Sequence, residues 1–146
     1  MRFVLLLVLA GGCVDSLAPE VGPITHAPCT NGDSNPDRDV HFAADLHDGI
    51  FASDTFHCVR CHTPNGATPI GYEVTGLDLT DYDTLTAGAR GLAVVVPGDP
   101  CASVLVQKLG EAPPFGARMP LDGPPFLSDD DLQLVVDWIA EGARDD

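Results

Sequence analysis

The chain has 146 residues, 45% of them hydrophobic, which is apolar material for one packed domain and no more. Against 22 Asp and Glu it carries only 7 Lys and Arg, for a formal net charge of -15. Phosphate contacts need Lys and Arg, so this balance excludes a nucleic-acid partner and suits a soluble carrier that meets basic protein surfaces.

Met1 and Arg2 make a minimal charged start, Phe3 to Leu9 form an apolar run, and Ala10, Gly11 and Gly12 are small. The run is far shorter than the ~20 residues of a membrane-spanning helix. It reads as a secretory signal over residues 1–12. Small residues before Cys13 resemble a bacterial lipobox, which implies lipidation of Cys13, although Ala10 stands where the box has leucine and Leu9 is one place early. Residues 13–38 read as a lipid-anchored or flexible tether. Pro19, Pro23, Pro28 and Pro36, with Gly22 and Gly32, leave little apolar surface to offset the entropy of ordering.

Residues 39–146 are the expected domain. A helix is expected over Val40 to Ala52, with Phe42, Leu46 and Ile50 as its apolar stripe and Asp39 as its N-cap. Cys58-Val59-Arg60-Cys61-His62 follows and reads C-x-x-C-H, the attachment signal for a c-type haem. Two thiols at this spacing can each form a thioether with one vinyl group of the same haem. The adjacent histidine then lies under the iron and can coordinate it. A zinc site and a thioredoxin-like dithiol are the alternatives. Zinc wants a second ligand pair at short spacing, whereas Cys29 and Cys101 are isolated. A dithiol motif should open a long helix, whereas Thr63-Pro64-Asn65-Gly66 is turn chemistry.

Beyond the motif a loop is expected through Pro64, Gly66, Pro69 and Gly71, then a short helix over Asp81 to Leu85. Leu92 to Val96 reads as a strand or a buried extended segment. Asp99 as N-cap and Pro100 at the first helical position are expected to open a helix whose apolar residues include Leu105 and Leu109. Ala112 to Pro125 is too rich in proline for any regular element. The clearest helix comes last. Ser128 and Asp131 form a capping box, Leu132, Val135, Val136 and Ile139 make its stripe with Trp138 at the edge, and Gly142 stops it.

From Asp39 to Ala143 the chain resembles the c-type cytochromes. The resemblance rests on the C-x-x-C-H motif, on Met119-Pro120 in a late proline-framed loop, and on the closing amphipathic helix. It implies an all-α fold: a class I cytochrome c-like helical domain wrapped around one haem, with long Pro/Gly-rich loops. It further implies thioethers from Cys58 and Cys61, His62 as proximal iron ligand and Met119 as distal ligand, with Arg60, Arg90 and Arg118 as candidate partners of the haem propionates. With Cys13, Cys58 and Cys61 so used, Cys29 and Cys101 remain. In an oxidising compartment they are expected to pair as a disulfide, two free buried thiols being the alternative. The function implied is electron transfer, not enzyme catalysis, in the periplasm or at the cell envelope. The partners implied are a redox protein with a basic surface and, through Cys13, a membrane. A haem-based sensor with a labile methionine ligand, and a structural or zinc-binding lipoprotein, are the competing functions.

Overall fold

The computed structural model describes residues 29–146, so the expected signal over 1–12, Cys13 and the tether as far as residue 28 lie outside the described residues. Within residues 29–146 the chain is helical and has no strand. A lone antiparallel bridge joins Ala89 and Leu92, so the segment Leu92 to Val96 is not a strand; Val94 and Val95 are buried there in irregular backbone.

The first helix, α1 (Phe42–Phe51), is wound with i→i+5 bonds: the Ala52 N–H donates to the His47 carbonyl at 2.7 Å. The wider turn puts Phe51 on the buried face with Phe42, Leu46 and Ile50. Asp39 does not cap this helix. The helix starts from His41, whose N–H donates to the Asp45 carboxylate at 2.9 Å. Asp39 instead holds a left-handed φ of 61°. The Asp39 and Val40 amides donate to the Glu141 carboxylate at 3.1 and 3.0 Å. A tertiary partner has outbid the local cap.

Four short helices follow: α2 (Cys58–Cys61), α3 (Ile70–Thr75), α4 (Tyr82–Thr86) and α5 (Val104–Leu109). α3 lies where a loop was expected, and Gly76 ends it in the left-handed conformation at φ 73°. Asp81 and Thr84 close a capping box at the start of α4. α5 begins after Ser103, not at Asp99 and Pro100 as expected. Asp99 takes the Asn31 side-chain amide at 3.0 Å and the Ala102 N–H at 3.1 Å, forming a turn ahead of the helix.

The last helix, α6 (Asp129–Ala140), has its Ser128–Asp131 capping box and packs against α1 and α5. Trp138 is not at the edge of its stripe but fully buried, with ring centroids 5.5 Å from Phe42 and 6.4 Å from Tyr82. The polar tips of this aromatic group are both satisfied at the C-terminus. Trp138 Nε1 donates to the Arg144 carbonyl at 2.9 Å and the Tyr82 hydroxyl to the Ala143 carbonyl at 2.8 Å.

Residues 29–38, at the end of the stretch read as tether, are fastened to the domain. Cys29 and Cys101 form a disulfide with Cα atoms 5.6 Å apart. Asp137, buried on α6, accepts from the Asn35 amide at 2.7 Å, Arg38 at 3.0 Å and Gln133 at 2.7 Å. A buried carboxylate is tolerable because each of these donors faces it.

Candidate functional site

The motif forms a single helical turn anchored from below. Phe56 is buried just ahead of it, His57 enters it at a left-handed φ of 51°, and Cys58 and Val59 pack against the core. The His62 N–H donates to the Cys58 carbonyl at 2.9 Å and closes the turn. The loop beyond crosses this turn so closely that a Cβ on Gly66 would lie 2.3 Å from the Arg60 carbonyl oxygen, and only glycine fits. Both motif thiols are free and half-buried. Burial pushes the Cys58 thiol up to about 11, Cys61 and Asp122 add to the rise, and the backbone amide of Cys58 opposes it. A thioredoxin-like pair needs a thiol shifted the other way.

His62 is fixed at its backbone and at its ring. Its carbonyl accepts from the Leu79 N–H at 2.7 Å. Its ring lies against α3, where a Cβ on Gly71 would stand 2.7 Å from Cε1, 2.8 Å from Nε2 and 2.9 Å from the Cys61 carbonyl oxygen. Burial holds the imidazole below its ordinary pKa, and the Leu77 backbone pulls partly back. The Leu77 contact falls short of a hydrogen bond, because Nδ1 is buried with no partner.

The Met119 loop returns to the motif through Asp122, which pairs with Arg60 at 3.0 Å. Met119 is partly buried against the core, and its N–H donates to the Lys108 carbonyl at 2.8 Å. The large exposed hydrophobics among the described residues are Ile70, Val74, Leu92, Phe115, Leu121 and Phe126. They come from α3, the Ala89–Leu92 turn and the proline-rich loop. Those segments adjoin one another through the Gly71–His62 contact, the Arg90 bonds to α3 and the Arg60–Asp122 pair.

The three arginines read as propionate partners all have protein partners. Arg90 donates to the Glu73 and Val74 carbonyls at 2.7 and 3.2 Å and so closes the end of α3. Arg118 Nε donates to the Leu109 carbonyl at 2.8 Å with its guanidinium over the Phe126 ring. Arg60 holds Asp122. A shallow cleft lined by Phe42, His47, Asp81, Tyr82 and Asp83 contains no motif residue. The zinc alternative has no second ligand pair: among the described residues no three His, Cys, Asp or Glu side chains gather into a set for a bare metal ion. Sequence reasoning missed Gly71, Asp122 and Lys108. The signal that could have found Lys108 is that it is the sole lysine of an acidic chain.

Residues 58–120 match the model of a family described as Planctomycete cytochrome C, a stretch that starts on the first motif cysteine and includes Met119. The match supports a c-type cytochrome domain over that stretch. Searches of curated proteins and of solved structures find no match. A cytochrome c domain implies covalently bound haem c and points to haem-based electron transfer by a carrier. The residues present fit such a group: two free thiols on one turn, a half-buried imidazole whose Nδ1 is buried without a partner, and apolar side chains exposed on the segments around them.

Proposed function

We propose that the domain is a single-haem electron carrier of the cell envelope, with Cys58 and Cys61 as thioether residues and His62 and Met119 as axial ligands. The observation that carries this reading is the half-buried His62 ring, its Nδ1 buried without a partner, beside two free thiols on α2, inside the matched stretch. When bound, the haem supplies a one-electron couple at its iron. The work of the chain is to hold it. α2 fixes the spacing of the two thiols, α3 limits the His62 ring through Gly71, and the proline-rich loop would supply Met119. Ile70, Val74, Leu121 and Phe126 would be covered by the porphyrin, and the helices would wrap around it. A thioether from Met119 would favour Fe(II) and would leave the iron no open position for a substrate.

The rest of the reading concerns location and partner. A signal over 1–12 and lipid on Cys13 would place the domain on the outer face of a membrane, in the periplasm or at the envelope. From Cys13 onward the chain keeps 6 basic against 22 acidic side chains, which favours a redox partner with a basic surface. Such steering is screened beyond ~8 Å at physiological salt, so the electron-transfer rate should fall as salt rises.

Protein expressed with export and haem attachment, then assayed as its pyridine haemochrome, should contain one haem per chain. Chain without haem overturns the reading. Sulfur ligation to ferric haem gives a weak band near ~695 nm. Met119→Ala should abolish that band, lower the potential and admit carbon monoxide to the reduced protein. An unchanged spectrum would turn the search to His26, His41, His47 or His57 as the sixth ligand.

A further inference from the structure

The loop from Phe115 to Met119 is not held by any helix of its own. It is fastened to the C-terminal end of α5, and mostly by one residue. Lys108 Nζ donates to the Phe115 carbonyl at 2.6 Å and to the Ala117 carbonyl at 2.5 Å. The same ammonium lies 4.9 Å from the centroid of the Phe115 ring. From the other end of the residue, the Lys108 carbonyl accepts the Met119 N–H at 2.8 Å. Arg118 adds a neighbouring tie to the Leu109 carbonyl at 2.8 Å. The last carbonyls of a helix lack partners within it, so the end of α5 offers acceptors at no cost to its own ladder. Lys108 thus grips the loop on both sides of Arg118, through its side chain at 115 and 117 and through its backbone at 119.

We infer that Lys108 is a positioning residue for Met119, setting where the thioether stands by holding the loop that carries it. This rests on the reading of Met119 as axial ligand. Three features favour positioning over generic packing. Lys108 is the only lysine in the chain. Its ammonium is directed to backbone carbonyls of the loop, and among the described residues it forms no ion pair with a carboxylate. Pro113, Pro114 and Pro120 flank the loop it grips, and no helix forms between Leu109 and Asp129 to supply such bonds.

Lys108→Met keeps the length of the stem and removes all three donors, whereas Lys108→Arg keeps a charged donor. In the haem-loaded protein, Lys108→Met should speed hydrogen exchange at the Met119 amide by about tenfold or more, the value of one charge-assisted hydrogen bond in an opening equilibrium. It should also weaken the ~695 nm band and let carbon monoxide in faster, with Lys108→Arg restoring both. Acetylation of the folded wild-type protein reads the same latch without a folding step, since Lys108 is the sole lysine: Nζ should react slowly, and its acetylation should coincide with loss of the band. If exchange, band and carbon monoxide binding are all unchanged in Lys108→Met, or if exchange rises while the band stays, Lys108 is packing only and the inference is overturned. Met119→Ala is the control for the underlying reading. If it leaves the spectrum intact, Met119 is not a ligand and the positioning role falls with it, whatever Lys108→Met does to exchange.

Discussion

Gly71→Ala puts one methyl group into the tightest contact of the site. The new Cβ would sit 2.7 Å from His62 Cε1, 2.8 Å from Nε2 and 2.9 Å from the Cys61 carbonyl oxygen, where ordinary contact begins at 3.4 Å. Each neighbour must retreat by about 0.5–0.7 Å, and the Cys61 oxygen is backbone of the motif turn itself, so it cannot swing away as a side chain would. Overpacking of this kind costs about 1–3 kcal/mol. Replacing a helical glycine by alanine returns about 0.5–1 kcal/mol through backbone entropy. The clash wins, with a net loss of about 1–2 kcal/mol and a Tm lower by ~4–8 °C for a domain of this size. A thermal melt of the haem-loaded protein reads the stability, and its ferric spectrum reads any displacement of His62. Gly71→Ser should be at least as severe. A variant with unchanged or raised Tm and an unchanged spectrum would show that the imidazole does not lie against α3, and the account of His62 would fail.

Three further outcomes follow from the rest of the structure. Asp137→Ala removes the acceptor of three donors and leaves the part-exposed Arg38 to water, so it should cost about 1–3 kcal/mol in urea denaturation, with faster proteolysis between residues 30 and 38; a loss under ~0.5 kcal/mol would mean that the segment is not fastened there. Replacing Cys29 and Cys101 together by serine should lower stability by about 4 kcal/mol on the chain-entropy estimate for their 72-residue separation, and equal stability of the oxidised and reduced wild type would contradict the cross-link. The Asp81 and Asp99 carboxyls are held below the ordinary carboxylate range, Asp81 chiefly by the Thr84 N–H and Asp99 chiefly by the Asn31 amide. A depressed folded pKa contributes stability above the unfolded value near ~3.9 and loses it as pH falls through the lower folded value, so Asp81→Ala and Asp99→Ala should flatten the acid limb of a pH–Tm curve; a wild-type Tm constant down to pH ~2.5 would refute this.

The sequence by itself determined the parts whose physics is local. C-x-x-C-H needs only the reach of two thiols and a neighbouring imidazole. Ser128 and Asp131 close a capping box among themselves, and the period of Phe42, Leu46 and Ile50 marks a helix face without knowledge of what covers it. The all-helical fold was what the cytochrome resemblance implied, not something these local stretches showed by themselves. The tertiary structure decided whatever depends on a distant partner. Asp39 lost its cap because Glu141 takes the amides beside it. Asp99 turns instead of starting a helix, in part because Asn31 is brought to it. Trp138 moved from the edge of a stripe to the centre of the core because Phe42 and Tyr82 close over it. Asp137 looks in sequence like one more solvated carboxylate, and only the approach of Asn35 and Arg38 from a hundred residues away makes it a buried anchor. At the site the division is the same. Spacing names Cys58, Cys61 and His62, but the grip of Lys108 on the Met119 loop joins groups on two elements, and no local pattern encodes that meeting.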